Sequence, residues 1–141
     1  MEKTSGFNRI ERSDKKMYGV RGLLVCGYPE EERNNFIDFI SKLNMESLPV
    51  IFSVNTDIER GAGELLTMKH KEEISGPSDL PRAVIMSGLS QDELHMLMDA
   101  YRGAGFVSQI WATLTPSNEA WSLKALLIEL LAEARAMKKK Q

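Results

Sequence analysis

Two short apolar runs, each closed by a glycine, constrain the fold of this chain more than any other feature. They are Gly22–Cys26 (GLLVC), which precedes Gly27, and Ala83–Ser87 (AVIMS), which precedes Gly88. Both runs are continuous rather than alternating, which is typical of a strand buried on both faces of a sheet. A helix-start signal follows each of them. Strands that alternate with helices predict an α/β fold, with helices on the faces of one sheet.

The helix after each run has its own start and stop signals. Pro29 and the three glutamates behind it suit the first turn of a helix, and Asn44 can end that helix in the left-handed conformation. Ser90 and Glu93 form an S-x-x-E capping box, after which apolar residues recur at helical spacing. The sequence therefore predicts one amphipathic helix after each apolar strand.

Two further strands and two further helices complete the pattern. Pro49–Val54 and Val107–Leu114 have the composition of strands, and proline is tolerated at the first position of a strand. A long apolar stripe predicts a last helix capped by Ser122, while a short helix near 62–68 is the least secure element. The predicted order is strand, helix, strand, loop, helix, and then the same again.

Sliding the chain by 61 residues, the distance from Gly27 to Gly88, aligns nearly every element with a counterpart. Predicted strands align with predicted strands and helix caps with helix caps. The following residues coincide: Arg21 with Arg82, Glu32 with Glu93, and Asn44 with Gly105. We therefore predict a single domain at 18–141 made of two repeats, 18–74 and 82–141. Residues 1–17 are predicted to form a mobile polar arm.

The preferred arrangement is a four-stranded, mainly parallel sheet in which strands 1 and 3 are adjacent. A ferredoxin-like α+β sheet also has two similar halves and is the alternative. The two differ in whether residues 55–81 cross over the sheet or turn back, and the sequence leaves this open.

The second half of the chain carries a signature. A hydrophobic strand ends at Ser87-Gly88, a helix begins near Asp92-Glu93-Leu94, and then come Trp111-Ala112, Thr115-Pro116, Asn118 and Trp121. In these features residues 82 to about 138 resemble a bacterial family of unknown function, the DUF3783 type. The first half looks like a diverged copy, with Val50 and Arg60 where the tryptophans would stand. The resemblance implies no activity, cofactor or catalytic residue.

The composition is that of an ordinary globular protein, with 43% hydrophobic and 27% charged residues. A net charge of −2 argues against a dedicated nucleic-acid binder. The single cysteine, Cys26, cannot form an internal disulfide, and no Cys/His cluster has metal-ligand spacing. The N-terminus lacks the apolar run of a signal peptide, and no stretch approaches the roughly 20 apolar residues of a membrane span. We therefore expect a cytoplasmic protein without metal or cofactor.

The tryptophan-containing stretch after the fourth strand is one candidate site. Tryptophans supply flat contact area and Thr and Asn supply directional polar groups, so five residues could form an interaction surface: Trp111, Thr115, Pro116, Asn118 and Trp121. The competing interpretation is structural. In that interpretation the tryptophans pack against the sheet and the last helix, and the polar residues bond the backbone of the turn.

The glycines that close the two apolar strands are the second candidate. In a parallel sheet, ligands bind in the crevice at the carboxyl ends of adjacent strands, which here carry Cys26, Gly27, Ser87 and Gly88. Acidic residues already occupy the helix starts beside them, which disfavours a phosphate ligand. Neither nucleotide-binding glycine motif is present.

No complete catalytic set is recognisable, so we expect that the protein is not an enzyme. A thiol or hydroxyl nucleophile at Cys26 or Ser87 is the weakest hypothesis, since no charged neighbour in sequence would lower the pKa of the thiol. The leading hypothesis is a non-catalytic protein-interaction or regulatory domain whose partner is another protein or a second copy of the chain. The alternative is a small-molecule-binding module that uses the crevice at the ends of strands 1 and 3.

Overall fold

The computed structural model describes residues 16–67 and 76–139, which form one mixed α/β unit. Its helices and strands are, in chain order, β1 (Gly22–Cys26), α1 (Glu30–Lys42), β2 (Val50–Ser53), α2 (Ala62–Leu65), β3 (Ala83–Ser87), α3 (Gln91–Gly103), β4 (Ile110–Thr113) and α4 (Leu123–Lys139). A single 3-10 turn at Asn55–Asp57 follows β2. All eight predicted elements are therefore present in the predicted order.

The four strands form one sheet in the order β2-β1-β3-β4. The prediction that strands 1 and 3 are adjacent is confirmed. The prediction of a mainly parallel sheet is wrong, because β1 and β3 run antiparallel, although β1 is parallel to β2 and β3 is parallel to β4. The two parallel outer pairs also exclude the ferredoxin-like alternative. A fully buried strand has the same apolar pattern in either direction, so the direction of β3 was not encoded in its composition.

The sheet separates two apolar clusters, and the pleat sends alternate residues of each strand to opposite faces. The first face is covered by α1 and α3, and we call it the α3 face; its buried residues include Leu23, Val25, Phe36, Leu97 and Tyr101. The second face is covered by α2 and α4, and we call it the α4 face; its buried residues include Leu24, Cys26, Leu65, Leu123 and Leu126. Strands buried on both faces explain the continuous apolar runs of β1 and β3.

Local signals place the helix ends. Ser90 Oγ accepts the backbone N–H of Glu93 at 3.2 Å, and the Glu93 carboxylate accepts the Ser90 N–H at 3.0 Å, which is the predicted capping box. Ser122 Oγ accepts the N–H of Ala125 at 3.1 Å and caps α4. Asn44 has a positive φ of 61° just beyond α1, as predicted for a helix end.

The two halves are held together by a reciprocal pair of ion pairs. Arg21, just before β1, donates to both carboxylate oxygens of Glu93 on α3, at 2.7 Å each. Arg82, just before β3, donates to Glu32 on α1 at 2.7 Å. In the 61-residue shift Arg21 coincides with Arg82 and Glu32 with Glu93, so the two ion pairs occupy equivalent positions. Each half therefore anchors the first helix of the other.

Several elements begin at equivalent positions of the two halves. Gly22, Glu30 and Ala62 begin β1, α1 and α2, and each lies 61 residues before the first residue of β3, α3 and α4. Leu24 and Ile85, which coincide in the same shift, lie directly opposite each other in the β1–β3 pair. That the first half is a diverged copy of the second stays a prediction, and these coincidences support it.

The predicted polar arm at 1–17 lies almost wholly outside the described residues. Lys16 pairs with Ser90 in an isolated bridge, and the Met17 N–H donates to the Leu89 carbonyl at 2.8 Å. The last residues of the predicted arm therefore lie beside the connection from β3 to α3. Across the two described segments, no helix has the length and apolar character needed to cross a membrane.

Candidate functional site

The structure does not bring the four predicted crevice residues together. In the antiparallel β1–β3 pair, Cys26 lies opposite Ala83 and Gly22 lies opposite Ser87. Cys26-Gly27 and Ser87-Gly88 therefore stand at opposite ends of the paired strands. The expected crevice required a parallel pair, in which both carboxyl ends meet at one edge.

Both strand-closing glycines make room for the chain itself. Gly27 has φ +81°, and a Cβ built there would lie 2.6 Å from the Leu80 carbonyl oxygen. Gly88 has φ +66°, and a Cβ there would lie 2.6 Å from the Gly19 carbonyl oxygen. Each glycine lets the segment that enters the neighbouring strand pass close by. The space in which a ligand was expected is thus filled by backbone.

Neither candidate nucleophile is suited to chemistry. Cys26 is fully buried, accepts a hydrogen bond from the Ser53 hydroxyl at 3.1 Å, and burial raises the pKa of its thiol to about 12. The Ser87 hydroxyl is also buried and has no hydrogen-bond partner within the described segments. Without a base beside it, a buried hydroxyl is not an activated nucleophile.

Two of the five predicted interaction residues close a turn. Thr115 and Asn118 bond each other reciprocally, since Asn118 Oδ1 accepts the Thr115 N–H at 2.9 Å and Thr115 Oγ1 accepts the Asn118 N–H at 3.1 Å. The first half has the equivalent turn after β2, in which the Asp57 carboxylate accepts the Val54 N–H at 2.9 Å. The structural interpretation explains both polar residues.

The two tryptophans do not share a surface. Trp111 is half-buried on the α3 face, where its ring meets Tyr101 edge-on at a centroid distance of 5.3 Å. Trp121 is 40% exposed and immediately precedes α4, which covers the other face. The Trp121 carbonyl accepts the Ala62 N–H at 3.0 Å, so its main tie to the fold is through the backbone. Pro116 is exposed in the turn between the tryptophans.

The outer side of β4 is open. The Ile110 N–H donates to the carbonyl of Arg82, just before β3, at 3.0 Å, and the Leu114 N–H donates to the carbonyl of Met86 in β3 at 2.9 Å. Alternate residues of a parallel strand face its neighbour. Trp111 and Thr113 therefore direct their backbone groups away from the sheet. Of these groups, only the Thr113 carbonyl has a partner in the described part of the chain, a 3.4 Å bond from the Asn118 amide.

The open edge lies within the longest uncharged stretch of the chain. From Gly103 to Asn118 no residue carries a charged side chain, although 27% of the whole chain is charged. Natural proteins usually protect an exposed edge strand with charge, proline or a covering segment. In β4 itself, each of the four residues is only half-buried. Within residues 16–67 and 76–139, neither a covering segment nor a charged side chain in the strand protects this edge.

An aromatic hollow adjoins this edge on the α3 face. It has a volume of about 570 Å³ and is lined by Met98, Tyr101, Arg102, Phe106, Ser108, Gln109 and Trp111. Tyr101 and Phe106 stack with centroids 5.0 Å apart, which builds a flat wall beside the Trp111 ring. Volume and lining fall within the range of small-ligand and side-chain pockets. We call this feature the aromatic hollow.

A buried polar network lies beneath the hollow. The Tyr28 hydroxyl donates to Gln109 Oε1 at 2.7 Å and lies 3.1 Å from the Tyr101 hydroxyl, which donates to the Val107 carbonyl at 2.6 Å. Burial is the main cause that raises the pKa of Tyr28 well above its usual range. The Arg82 guanidinium stacks on the Tyr28 ring at 3.9 Å. This network holds Tyr101 and Gln109 in place.

Sequence reasoning singled out Trp111 but missed the other residues of the hollow. Tyr101 was assigned only to the apolar stripe of α3, Ser108 and Gln109 were placed in the predicted strand Val107–Leu114, and Phe106 was assigned to no element. The available signal was the uncharged stretch from Gly103 to Asn118, which contains three of these four residues.

A second cavity, of about 390 Å³, lies at the carboxyl end of β4. Its walls include Tyr18, Gln91, Thr113, Thr115 and Pro116. This is the end of the parallel β3–β4 pair, where ligands of α/β sheets commonly bind. The crevice was expected between strands 1 and 3, whereas this cavity lies between the end of β4, the start of α3 and the segment that precedes β1.

Comparison with known proteins adds a family but no activity. Within the described segments, no group of three or more His, Cys, Asp and Glu residues could hold a metal ion. No curated protein and no solved structure is significantly similar to the chain. Residues 82–137 match the model of DUF3783, a domain of unknown function. The part of the chain that builds β3, α3, β4 and most of α4, with the open edge and the aromatic hollow, is therefore a DUF3783 domain.

Proposed function

We propose that this chain is a non-catalytic protein-interaction domain that presents the open edge of β4 to a partner. The observation that carries the proposal is the unprotected edge. Both backbone groups of Trp111 and the N–H of Thr113 have no partner in the described part of the chain, and no charged side chain lies between Gly103 and Asn118 to oppose pairing with another strand. A buried, unpaired Cys26 fits a reducing compartment, so we place the protein in the cytoplasm.

The edge has the features of a strand-addition site. In such sites the backbone of a partner segment pairs with the edge and supplies affinity, while pockets beside the edge select its side chains. The aromatic hollow provides such a pocket next to Trp111. The partner is either a different protein or a second copy of this chain, and both would use the same edge.

Placing a charge on the edge tests the proposal. Thr113→Lys should abolish association, because lysine on an edge strand opposes pairing with another strand. Ser117→Lys is the matched control, because Ser117 is exposed in the following turn and a lysine there adds the same charge away from β4. Proteins captured from a lysate should be quantified by mass spectrometry for the wild type and both variants, and sedimentation should report self-association.

The proposal requires a difference between the two lysine variants. Capture or self-association that is lost in Thr113→Lys and retained in Ser117→Lys supports it, provided that both variants unfold at the wild-type temperature. The interaction function would be contradicted if both variants captured partners and self-associated equally, or if the wild type were strictly monomeric and captured nothing.

A small-molecule-binding module is the second candidate, favoured by the cavity at the carboxyl end of β4. Gln91, at the start of α3, lines that cavity, so the larger side chain of Gln91→Trp should fill it. A thermal-shift screen of nucleotides and metabolites should then give a hit with the wild type that is lost in Gln91→Trp. If no compound stabilises the wild type, this second function is wrong.

A further inference from the structure

The aromatic hollow and the open edge are parts of one surface, because Trp111 belongs to both. Its backbone groups point outward from β4, and its side chain forms one wall of the hollow. Side chains of adjacent strands stand opposite one another on each face of a sheet. A strand laid along β4 would therefore place every second side chain over the α3 face, where the hollow lies.

The polar groups of the hollow are mostly donors. Gln109 Oε1 already accepts the Tyr28 hydroxyl, whereas Gln109 Nε2 is buried without an acceptor in the described segments. The side chain of Arg102 is 69% exposed and contacts Asp99, three residues earlier on the same helix. Such an exposed pair is weak and leaves the guanidinium able to bind another carboxylate. None of the described residues that line the hollow is acidic.

We propose that β4 binds an extended segment of a partner protein in which an apolar side chain fills the aromatic hollow and an Asp or Glu, two residues away on the same face, meets Arg102. This inference rests on the proposed interaction function and specifies its partner. Trp111, Tyr101 and Phe106 supply the apolar contact, and the exposed guanidinium of Arg102 supplies the charge-assisted donors.

Charge complementarity separates this partner from a second copy of the chain. If two copies paired through β4, the segment opposite Arg102 would come from the stretch between Gly103 and Asn118, which holds no carboxylate. Self-pairing would then leave the donors of the hollow without an anion. The acidic residue must come from a different sequence.

Capped octapeptides provide a direct test. The base peptide alternates Thr and Val, and one Val is replaced by Glu in an acidic peptide or by Lys in a basic one. The chain has two tryptophans, and the Trp121→Phe variant keeps only Trp111. Binding to this variant is followed by the fluorescence of Trp111. We expect the acidic peptide to bind about threefold more tightly than the basic one, the effect of one exposed ion pair.

Arg102→Glu should reverse the preference, so that the basic peptide becomes the tighter ligand. Arg135→Glu is the matched control: Arg135 is exposed on α4, which covers the other face, and its reversal should leave both affinities unchanged. An acidic peptide whose backbone is N-methylated at the residues facing β4 should not bind, because it cannot pair with the edge.

The outcomes distinguish this inference from the function on which it rests. Equal binding of both peptides, with no effect of Arg102→Glu, would overturn the acidic partner and leave edge pairing intact. A wild-type dimer that Thr113→Lys dissociates would show that the partner is a second copy, which also overturns it. Undiminished binding of the N-methylated peptide would contradict strand pairing itself, and the proposed function would fail with it.

Discussion

The first and second halves of the molecule share a framework but differ at their outer strands. Both have the same sequence of elements, the same ion pair to the other half and the same glycine turn after the central strand. All four residues of β2 are buried, whereas all four residues of β4 are half-buried. One framework thus gives a closed edge in the first half and an open edge in the second.

The difference arises beside the strands rather than within them. In the first half, residues 76–79 are fixed next to β2: Arg33 donates to the Gly76 carbonyl at 2.9 Å, and the Asn55 N–H donates to the Pro77 carbonyl at 3.1 Å. The Asn55 side chain also donates to the Asp79 carboxylate and accepts the Asp79 N–H. The equivalent place in the second half holds Lys16, Met17 and Tyr18 and keeps an open cavity. Function is therefore expected where the second half stays open.

The largest effect that would break the shared framework is predicted at the central glycines. Gly27→Ala and Gly88→Ala should each cost about 3 kcal/mol or more, because both combine a positive φ with a backbone oxygen 2.6 Å from the new Cβ. The free energy of unfolding in urea measures the cost. Similar losses at both positions would support equivalent roles in the two halves.

Gly105→Ala separates the two causes, which are the positive φ and the close approach of a backbone oxygen. Gly105 has φ +81°, as Gly27 does, but a Cβ there meets nothing within 4 Å. Its cost should be only about 1 kcal/mol, the strain of the left-handed conformation alone. If Gly105→Ala were as damaging as Gly27→Ala, close approach of the chain would not explain the central glycines.

The ion pair between Arg21 and Glu93 should make the stability of the protein depend on pH. Arg21 is the first cause that lowers the pKa of Glu93 to about 2 from an ordinary 4.5, and the Ser90 N–H contributes. A lowered folded-state pKa gives stability that is present above the unfolded-state value and is lost as pH falls through the folded-state value. The free energy of unfolding should therefore fall by about 2 kcal/mol between pH 6 and pH 2 because of Glu93. In Glu93→Gln this part of the decrease should be largely absent.

Glu32→Gln is the comparison for the first half. The side chain of Glu32 is 39% exposed, compared with 27% for Glu93, and Pro29 at the equivalent cap position has no hydroxyl to complete a capping box. At pH 7 its loss should stay near 1 kcal/mol, less than that of Glu93→Gln. A larger loss in Glu32→Gln would mean that the first half depends more on its ion pair than the second does.

The turns after the two outer strands provide a closer test of equivalence. Asp57→Ala and Asn118→Ala should each cost about 1 kcal/mol, because each removes the acceptor of one backbone N–H. The Asp57 variant should lose slightly more, since its acceptor is a charged carboxylate in a buried residue. Thermal unfolding measures both, with Ser117→Ala as the control in the same turn. A negligible loss in either variant would show that the turn is fixed by other contacts.

The sequence was sufficient for the elements, their order and the adjacency of β1 and β3. Apolar periodicity and capping residues such as Ser90 are local signals, so they survive without any knowledge of the fold. The direction of β3 was not predictable, because it depends on the path of the chain between β2 and β3 and not on the strand itself. That single uncertainty misplaced the candidate crevice, since Gly27 and Gly88 meet only in a parallel pair.

The candidate surface was predictable in part. Trp111 was predicted to belong to an interaction surface and lines the aromatic hollow, whereas Thr115 and Asn118 bond the turn and Trp121 precedes α4. Which half exposes its outer strand depends on contacts distant in sequence, such as that of Arg33 with Gly76, and no local pattern encodes them. The uncharged stretch around β4 was the one sequence signal that pointed to the open edge.

The smallest expected effect separates the two tryptophans. Trp121→Ser should change the free energy of unfolding by less than about 0.5 kcal/mol, because the ring is 40% exposed and the Trp121 carbonyl, which any residue supplies, bonds Ala62. In the first half the carbonyl of Arg60 makes the reciprocal bond to the Leu123 N–H at 2.8 Å, without any aromatic ring. Trp111→Ser should cost about 2 kcal/mol, since it removes a half-buried ring that contacts Tyr101. Equal losses in the two variants, measured in urea, would mean that the Trp121 ring is part of the core and that the halves differ at the start of α4 as well as at their outer strands.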